Sequence, residues 1–172
     1  DAVQTRWPKV SIIIPSIDRY DLISRTLDGL ARKTDYPNLE IIVVDNGTTD
    51  ERVLDLYKAH ESGPIPFRAL IQPEPFNFSR SVNRGMALAD GEMMLLLNND
   101  VEIGDPEWLK EMVSCMTYNN AGIVGAKLLY PDGSLQHAGV MVGFGGLAGH
   151  WFIGEPGDFV GPMARLHVRQ SF

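Results

Sequence analysis

Short apolar runs alternate with amphipathic segments over the first 118 residues of the chain. An unbroken apolar run, typical of a strand buried on both faces of a sheet, occupies residues 93–97. Residues 10–14 and 40–44, rich in Ile and Val, predict two more buried strands, and residues 67–71 predict a short one. The segments between them repeat their apolar residues at helical spacing. This alternation predicts one α/β sheet, mostly parallel, with right-handed crossovers and helices on both of its faces.

Turn-forming and capping residues mark where these elements begin and end. Pro15 is expected to end the first strand, because proline has no N–H to donate to a sheet. A fourth helix is predicted from Asp105-Pro106, an N-cap residue followed by proline at the first helical position. The other helices have alternative capping residues: Asp18 or Asp21 for the first, Thr48, Thr49 or Asp50 for the second, and Asn77 or Ser79 for the third.

The pattern changes after residue 118. Residues 123–130 predict one more strand. From residue 135 to residue 161 glycines are dense, helical spacing is absent, and residues 140–142 form the only strand-like run. We therefore expect a mobile, Gly-rich flap attached to the sheet, and no second domain.

A polar triplet, Asn98-Asn99-Asp100, follows the apolar run at 93–97, which we expect to be a central strand. Open α/β sheets bind ligands at the carboxyl ends of their strands. A carboxylate beside amides that orient it suits a hard divalent cation shared with substrate phosphates. The alternative, which the triplet alone favours, is a hydrogen-bonded turn at a strand end. Asp18 and Asp45 follow two other strands, however, and three polar strand ends converging at the switch point of the sheet favour a ligand site.

The charge of the chain limits its partners. A net charge of −7 over 172 residues argues against a nucleic-acid-binding surface and against a polybasic membrane patch. An anionic substrate would therefore need local positive charge or a metal ion. The one cysteine, Cys115, excludes an internal disulfide framework and a cysteine-cluster metal site. No apolar run approaches the roughly 18 residues of a membrane-spanning helix.

The loop after the first strand has no glycine-rich phosphate motif. Residues 14–18 (IPSID) match neither G-x-G-x-x-G nor G-x-x-x-x-G-K-[ST]. Dinucleotide enzymes, P-loop phosphotransferases and nucleotidyltransferases with a Gly-rich, Lys-containing loop are therefore disfavoured. Without a backbone cradle, a bound diphosphate would have to be neutralised by a metal ion, for which Asp100 and its neighbours provide a site.

Several motifs, in order, resemble the family 2 glycosyltransferases of the GT-A fold. They are residues 10–16 (VSIIIPS), 41–50 (IIVVDNGTTD), 83–87 (NRGMA) followed by Gly91-Glu92, and 95–100 (LLLNND). The segments 125–133 (GAKLLYPDG) and 136–139 (QHAG) resemble the rhamnosyltransferase-like, polysaccharide-building branch. The resemblance covers about residues 9–168, and its specificity comes from the motifs together.

The resemblance implies a Rossmann-like, nucleotide-sugar-binding GT-A domain over residues 1–172, incomplete at its C-terminus. Asp45 would accept hydrogen bonds from the base or ribose, with a strand-end turn as the alternative. Asn98-Asn99-Asp100 would stand for the family's Asp-x-Asp motif. Because Asn98 replaces the first carboxylate, Asp100 is the expected metal ligand, and the cation should bind tightly only with the sugar nucleotide. His150 and His137 are candidates to complete the metal site, or else structural histidines.

Other nucleotide contacts are implied in the same way. Pro15, Ser16 and Asp18 would lie beside the nucleotide, and Asn98 or Asn99 would contact the ribose or a water bound next to the metal ion. Arg80 and Asn83 would lie near the base and the diphosphate, with a solvated helix face as the alternative for both.

The implied reaction moves a sugar, with inversion, from a UDP-, dTDP- or GDP-linked donor to a hydroxyl of a saccharide or lipid-linked acceptor, assisted by Mn²⁺ or Mg²⁺. The family's general base follows the metal motif at a helix start. None of the carboxylates between residues 101 and 172 has that context, so we expect the base beyond Phe172. The alternative function is a non-catalytic sugar-nucleotide-binding module without the base. The implied location is cytoplasmic, at the inner face of the bacterial membrane through parts outside this chain.

Overall fold

Four parallel strands and three helices form the first part of the protein in the computed structural model, which describes residues 6–119, 121–143 and 147–167. The chain divides into two compact units, Asp1–Leu109 and Lys110–Phe172. The elements of the first unit are β1 (Val10–Ser16), α1 (Tyr20–Arg32), β2 (Leu39–Asp45), α2 (Glu51–Glu61), β3 (Phe67–Ile71), α3 (Phe78–Leu88) and β4 (Met93–Leu96), after which α4 (Trp108–Asn119) begins.

The strands of the sheet lie in the order β3-β2-β1-β4, and each pairs with its neighbours in parallel. β2 and β3 extend the sheet on one side of β1, whereas β4 lies on the other side. The order therefore reverses between β1 and β4, which makes the carboxyl ends of these two strands the switch point.

Helices pack on both faces of the sheet, as the alternation predicted. Gly85 of α3 lies against Ile13 and Val44 on one face. Tyr57 of α2 bonds to Asp45, whose side chain points to the opposite face from that of Val44, because successive residues of a strand alternate. The core lies where β1 and β2 are covered from both sides, and Ile12, Ile13, Ile14, Ile41, Ile42 and Val43 are at most 1% exposed there.

β4 does not have the central position that its apolar run predicted. It lies at the edge of the sheet and pairs with β1 alone among the described residues. Met94 and Leu96 are 48% and 49% exposed, so the strand is not buried on both faces. The prediction was wrong because an apolar run shows only that a strand can be buried. How much of the strand is covered depends on which other segments of the chain pack against it.

The predicted ends of elements were partly correct. Asp50 and Asn77 cap α2 and α3 by accepting hydrogen bonds from the N–H groups of Arg52 and Arg80. α1 has no side-chain cap, because its N-cap residue is Arg19. β1 continues through Pro15, since it pairs only with β2 beyond Ile13 and proline is tolerated where one side of a strand is unpaired.

Further differences concern α4 and the second unit. α4 begins at Trp108, two residues after Pro106, and the Asp105 carboxylate accepts a hydrogen bond from the Glu107 N–H at 2.9 Å. The strand predicted at 123–130 forms only over Leu128–Leu129 (β5), because the other residues of that segment have no strand partner among those described.

Two antiparallel strand pairs form the second unit: β5 with β6 (Leu135–His137), and β7 (Val140–Val142) with β8 (Ala148–His150). A 3-10 helix follows at Pro162–His167. The expectation of a single strand-like run at 140–142 was wrong, because strands of three residues are too short to show a period. The single domain over 1–172 stays a prediction. Within the described ranges, no helix has the length and apolar character needed to cross a membrane.

Substituting Gly85 by alanine is expected to destabilise the fold by about 1–3 kcal/mol, the usual cost of overpacking a core. An added Cβ would lie 2.4 Å from Ile13 Cγ2 and 3.3 Å from Val44 Cγ2. Urea unfolding checks the prediction. Gly104→Ala is the matched control, because nothing lies within 4 Å of a Cβ at that position. A Gly85→Ala protein as stable as the wild type would show that α3 is not packed this closely.

Candidate functional site

Ser16 and Asn99 join the carboxyl ends of β1 and β4 at the switch point. The side-chain amide of Asn99 donates a hydrogen bond of 3.1 Å to Ser16 Oγ. Ser16 is buried, Asn99 is half-buried, and the neighbouring Asn98 and Asp100 are exposed. The polar residues that end β1 and those that follow β4 therefore lie together, as predicted. The Asp100 carboxylate beside them is exposed to solvent.

α1 holds the loop that carries Asp100. Thr26 Oγ1 donates to the backbone carbonyls of Asn99 and Val101, at 3.0 Å to each. One helical turn further, Ile103 fills the notch at Gly29, where an added Cβ would lie 2.9 Å from Ile103 Cγ1. The loop after β4 is thus hydrogen-bonded to α1 and packed against the buried face of that helix.

Asp18 connects the loop after β1 to the loop after β2. Its Oδ1 accepts hydrogen bonds from Thr48 Oγ1 at 2.5 Å and from the Thr49 N–H at 2.9 Å. These bonds, that from Thr48 above all, lower the pKa of Asp18. They also explain why Asp18 does not cap α1. The backbone of Asp18 is left-handed, with φ at 38°, which is strained for most residues and tolerated by aspartate.

Asp45 is wholly buried at the end of β2. Its Oδ1 accepts hydrogen bonds from the N–H groups of Gly47 and Thr48 at 2.9 and 2.6 Å, and its Oδ2 accepts from Tyr57 Oη at 2.7 Å. Burial raises the pKa of Asp45, although these hydrogen bonds favour the carboxylate. The geometry is that of the strand-end turn, and direct contact between Asp45 and a nucleotide stays a prediction.

The start of α3 lies at the same edge of the sheet. Ser81 Oγ donates a hydrogen bond of 3.1 Å to Asn46 Oδ1, directly after β2. On α3 both Arg80 and Arg84 form ion pairs with Glu74, in which Arg80 Nη1 lies 3.2 Å from Glu74 Oε2. Half of the Arg80 side chain is exposed. Asn83 is exposed on the same helix.

The donor groups at this edge fit a cation that is shared with a ligand. Asp100 supplies one exposed carboxylate, and Asn98 supplies an amide oxygen. Nowhere in the described ranges do three His, Cys, Asp or Glu side chains group closely enough to hold a metal ion. Mg²⁺ typically binds one or two carboxylates, substrate phosphates and water, so the single carboxylate suits such a site and not a cage made by the protein alone.

The predicted ligand His150 lies on β8 of the second unit. Its Nδ1 is 2.7 Å from Nδ1 of His137, so one ring donates and the other accepts. Burial, and then the neighbouring His150, lower the pKa of His137. This pair leaves Nε2 of each ring to other partners, and metal ligation by His150 stays a prediction.

Four residues that build this site were not predicted as site residues from the sequence: Thr26, Thr48, Tyr57 and Glu74. Thr26 had a recognisable signal, because it is a polar residue on the apolar face formed by Ile23, Leu27 and Leu30. Thr48 and Tyr57 bond to Asp18 and Asp45, whose positions relative to them only the tertiary structure shows. Glu74 pairs with Arg80 and Arg84 on the helix that follows it.

Known proteins are similar to this chain in sequence or in fold. The family model "Glycosyl transferase family 2" matches residues 11–152. The chain is 42% identical over 165 residues to the uncharacterized protein y4gI of Sinorhizobium fredii, and 43% identical over 145 residues to the O-antigen biosynthesis protein RfbC of Myxococcus xanthus. These matches cover 96% and 84% of this chain but only 18% and 11% of those proteins.

Solved structures with this fold include the mannosyltransferase PcManGT of Pyrobaculum calidifontis in complex with GDP-Man and Mn²⁺, with a TM-score of 0.63 and 24% identity over 74% of this chain and 37% of that one. S. aureus TarS 1-349 in complex with UDP-GlcNAc has a TM-score of 0.55 and 23% identity, over 70% of this chain and 37% of that one. The expected GT-A fold is thereby confirmed. Since the family model matches most of its length, the chain belongs to glycosyl transferase family 2, and its similarity to an O-antigen biosynthesis protein fits the polysaccharide-building branch of that family.

Proposed function

We propose that this chain binds a nucleotide-diphosphate sugar for an inverting glycosyltransferase that transfers the sugar to a hydroxyl of a saccharide or lipid-linked acceptor. The observation that carries this proposal is the hydrogen bond between Asn99 and Ser16 at the switch point, with the Asp100 carboxylate exposed beside it. The family membership of the chain supports the same class of reaction.

The nucleotide is proposed to lie along the carboxyl ends of β1 and β2, beside Pro15, Ser16 and Asp18. Asp18 is exposed and accepts hydrogen bonds from Thr48 and Thr49 through Oδ1, and a carboxylate there suits ribose hydroxyls. The buried Asp45 carboxylate holds the loop after β2 by accepting hydrogen bonds from the N–H groups of Gly47 and Thr48. In this proposal Asp45 supports the base or ribose site through that loop, and its direct contact with the nucleotide stays a prediction.

The diphosphate is proposed to lie between α3 and the end of β4. Arg80 offers a half-exposed guanidinium in a chain whose net charge is −7, and Asn83 offers an exposed amide one turn further. Asn98 or Asn99 is proposed to contact the ribose or a water bound next to the cation. A cation at Asp100 would supply Lewis-acid stabilisation of the departing diphosphate.

The reaction is a single displacement at the anomeric carbon. The acceptor oxygen forms a bond to that carbon as the bond to the diphosphate breaks, and the electron pair of the broken bond stays on the diphosphate oxygen. Attack from the opposite side inverts the configuration. The acceptor proton passes to a carboxylate base, which we do not assign to a residue of this chain.

The substrates of relatives support a donor of this type without identifying it. Of the proteins with a similar fold, PcManGT is in complex with GDP-Man and Mn²⁺, and TarS 1-349 is in complex with UDP-GlcNAc or with UDP. The chain spans less than a fifth of the curated relatives described above, so the acceptor and the activity of the whole protein are part of the proposal. We propose an acceptor in cell-envelope polysaccharide synthesis, on the cytoplasmic side of the membrane.

Calorimetric titration of the 172-residue chain with UDP, dTDP and GDP, each with and without Mn²⁺, tests this function. We expect one diphosphate to bind, and to bind more tightly with Mn²⁺, because the site has one carboxylate and needs the ligand to complete the cation's coordination. The matching nucleosides are the controls, since they lack the diphosphate. Failure of all three diphosphates to bind would overturn the proposal.

A further inference from the structure

Thr26 occupies an unusual position for a hydroxyl. It is wholly buried on the inner face of α1, among the apolar residues Ile23, Leu27 and Leu30. A hydroxyl in such surroundings costs free energy unless it is hydrogen-bonded. Its single proton is shared between the carbonyls of Asn99 and Val101, which are the residues on either side of Asp100. The hydroxyl therefore bonds to the Asp100 loop and not to its own helix.

Two further contacts restrain the same loop. The Asn99 side chain is bonded to Ser16 of β1 at 3.1 Å. Ile103, only 6% exposed, packs into the notch at Gly29, one turn along α1 from Thr26. The backbone on both sides of Asp100 is thus attached to α1 and β1, while the Asp100 carboxylate stays exposed.

We propose that Thr26 is a positioning residue for the cation site, which it serves by fixing the two carbonyls that flank Asp100. This inference rests on the proposed function, in which Asp100 is a metal ligand. A site with one carboxylate has few protein ligands to define its geometry, so a loop that had to be ordered during binding would lower the affinity. Groups that orient metal ligands typically contribute 10–100-fold to metal affinity.

Thr26→Val tests this role, because it replaces the hydroxyl with a methyl group of nearly the same shape. With saturating nucleotide diphosphate, taken as whichever of UDP, dTDP and GDP the wild type binds, we expect Thr26→Val to weaken Mn²⁺ binding about 10-fold. The affinity for the same nucleotide without Mn²⁺ should not change. Thr26→Ser keeps the hydroxyl and should bind Mn²⁺ as the wild type does. Calorimetry and the electron paramagnetic resonance signal of free Mn²⁺ measure these affinities.

The comparison of nucleotide affinity with and without Mn²⁺ separates positioning of the cation site from general support of the fold. Equal Mn²⁺ affinity of Thr26→Val and wild type would overturn the inference. So would an equal loss of nucleotide affinity with and without Mn²⁺. If Thr26→Val fails to fold, Thr26→Ala is measured in its place, against the same criteria.

The two levels of the proposal fail differently. A wild-type chain that binds no nucleotide diphosphate, or binds one without any effect of Mn²⁺, would overturn the metal-assisted function and this inference with it. Mn²⁺-dependent binding that Thr26→Val leaves unchanged would overturn this inference alone.

Discussion

Asp100→Ala is expected to abolish the Mn²⁺-dependent part of nucleotide-diphosphate binding, with a loss of about 100-fold or more in Mn²⁺ affinity. The reason is that the proposed site contains one carboxylate, and the loss of a direct ligand should exceed the 10–100-fold typical for groups that only orient ligands. Asp100 is exposed beside the switch point of the sheet, so its removal leaves no cavity in the core. Calorimetry of Mn²⁺ binding with saturating nucleotide measures the effect.

Two variants sharpen this prediction. Glu102→Ala removes the same charge from an exposed position two residues away and should leave Mn²⁺ affinity near that of the wild type. Asn98→Asp adds a second carboxylate and should strengthen Mn²⁺ binding, because ligand charge tunes cation affinity. Equal losses in Asp100→Ala and Glu102→Ala would mean that the general negative field, and not ligation by Asp100, attracts the cation.

Glu40→Ala is expected to destabilise the fold by about 3–5 kcal/mol, because it removes a buried carboxylate that accepts two hydrogen bonds, and a hydrogen bond to a charged group contributes about 1.5–3 kcal/mol. Glu40 is 3% exposed near the amino end of β2, at the opposite edge of the sheet from the proposed site. Its Oε1 accepts hydrogen bonds from Ser11 Oγ at 2.6 Å and from the Asp90 N–H at 3.1 Å. Its Oε2 lies 2.8 Å from Arg68 Nη2 and 3.4 Å from Lys9 Nζ.

Urea unfolding at pH 7 measures this loss. Asp55→Ala is the control, because it breaks an exposed ion pair with Lys58 and should change stability by less than about 1 kcal/mol. A Glu40→Ala protein within that range would mean that the Glu40 contacts form without stabilising the fold.

The pH dependence of stability tests whether Glu40 is ionised. Burial alone would raise the pKa of Glu40, but hydrogen bonds from Ser11, Asp90 and Arg68 outweigh it and lower the pKa from 4.5 to about 2. A carboxyl that is more acidic when folded stabilises the protein fully above its unfolded pKa and loses this contribution as the pH falls through its folded pKa.

The stability difference between wild type and Glu40→Gln should therefore include a term on the order of 3 kcal/mol at pH 7, at 1.36 kcal/mol per pKa unit. This term should shrink below pH 4.5 and disappear near pH 2. A difference that stays constant from pH 7 to pH 3 would show that the charge of Glu40 does not stabilise the fold.

The sequence predicted the strands of the first unit because their apolar runs are local signals. β1, β2 and β3 form at the predicted residues within one or two positions, and Asp50 and Asn77 act as the predicted caps. The ends of elements were less predictable where a tertiary contact competes with a local one. Asp18 is an example, since its carboxylate bonds to Thr48 and Thr49 in another loop and does not cap α1.

The candidate site shows the same division. Ser16, Asn99 and Asp100 were predictable as polar residues at the ends of two strands, because parallel strands place such ends at one edge of a sheet. The burial of Asp45 was not predictable, since it depends on Tyr57 of α2 reaching its second oxygen. A sequence shows that an aspartate follows a strand but not whether that aspartate faces solvent.

The α/β class, the family and the edge of the sheet that carries the polar strand ends were therefore predictable from the sequence, because periodicity and ordered motifs are properties of neighbouring residues. The edge position of β4, the enclosure of Asp45 and the hold of Thr26 on the Asp100 loop were not predictable. Each of these features depends on residues distant along the chain. Their packing and hydrogen bonds form only when the chain folds.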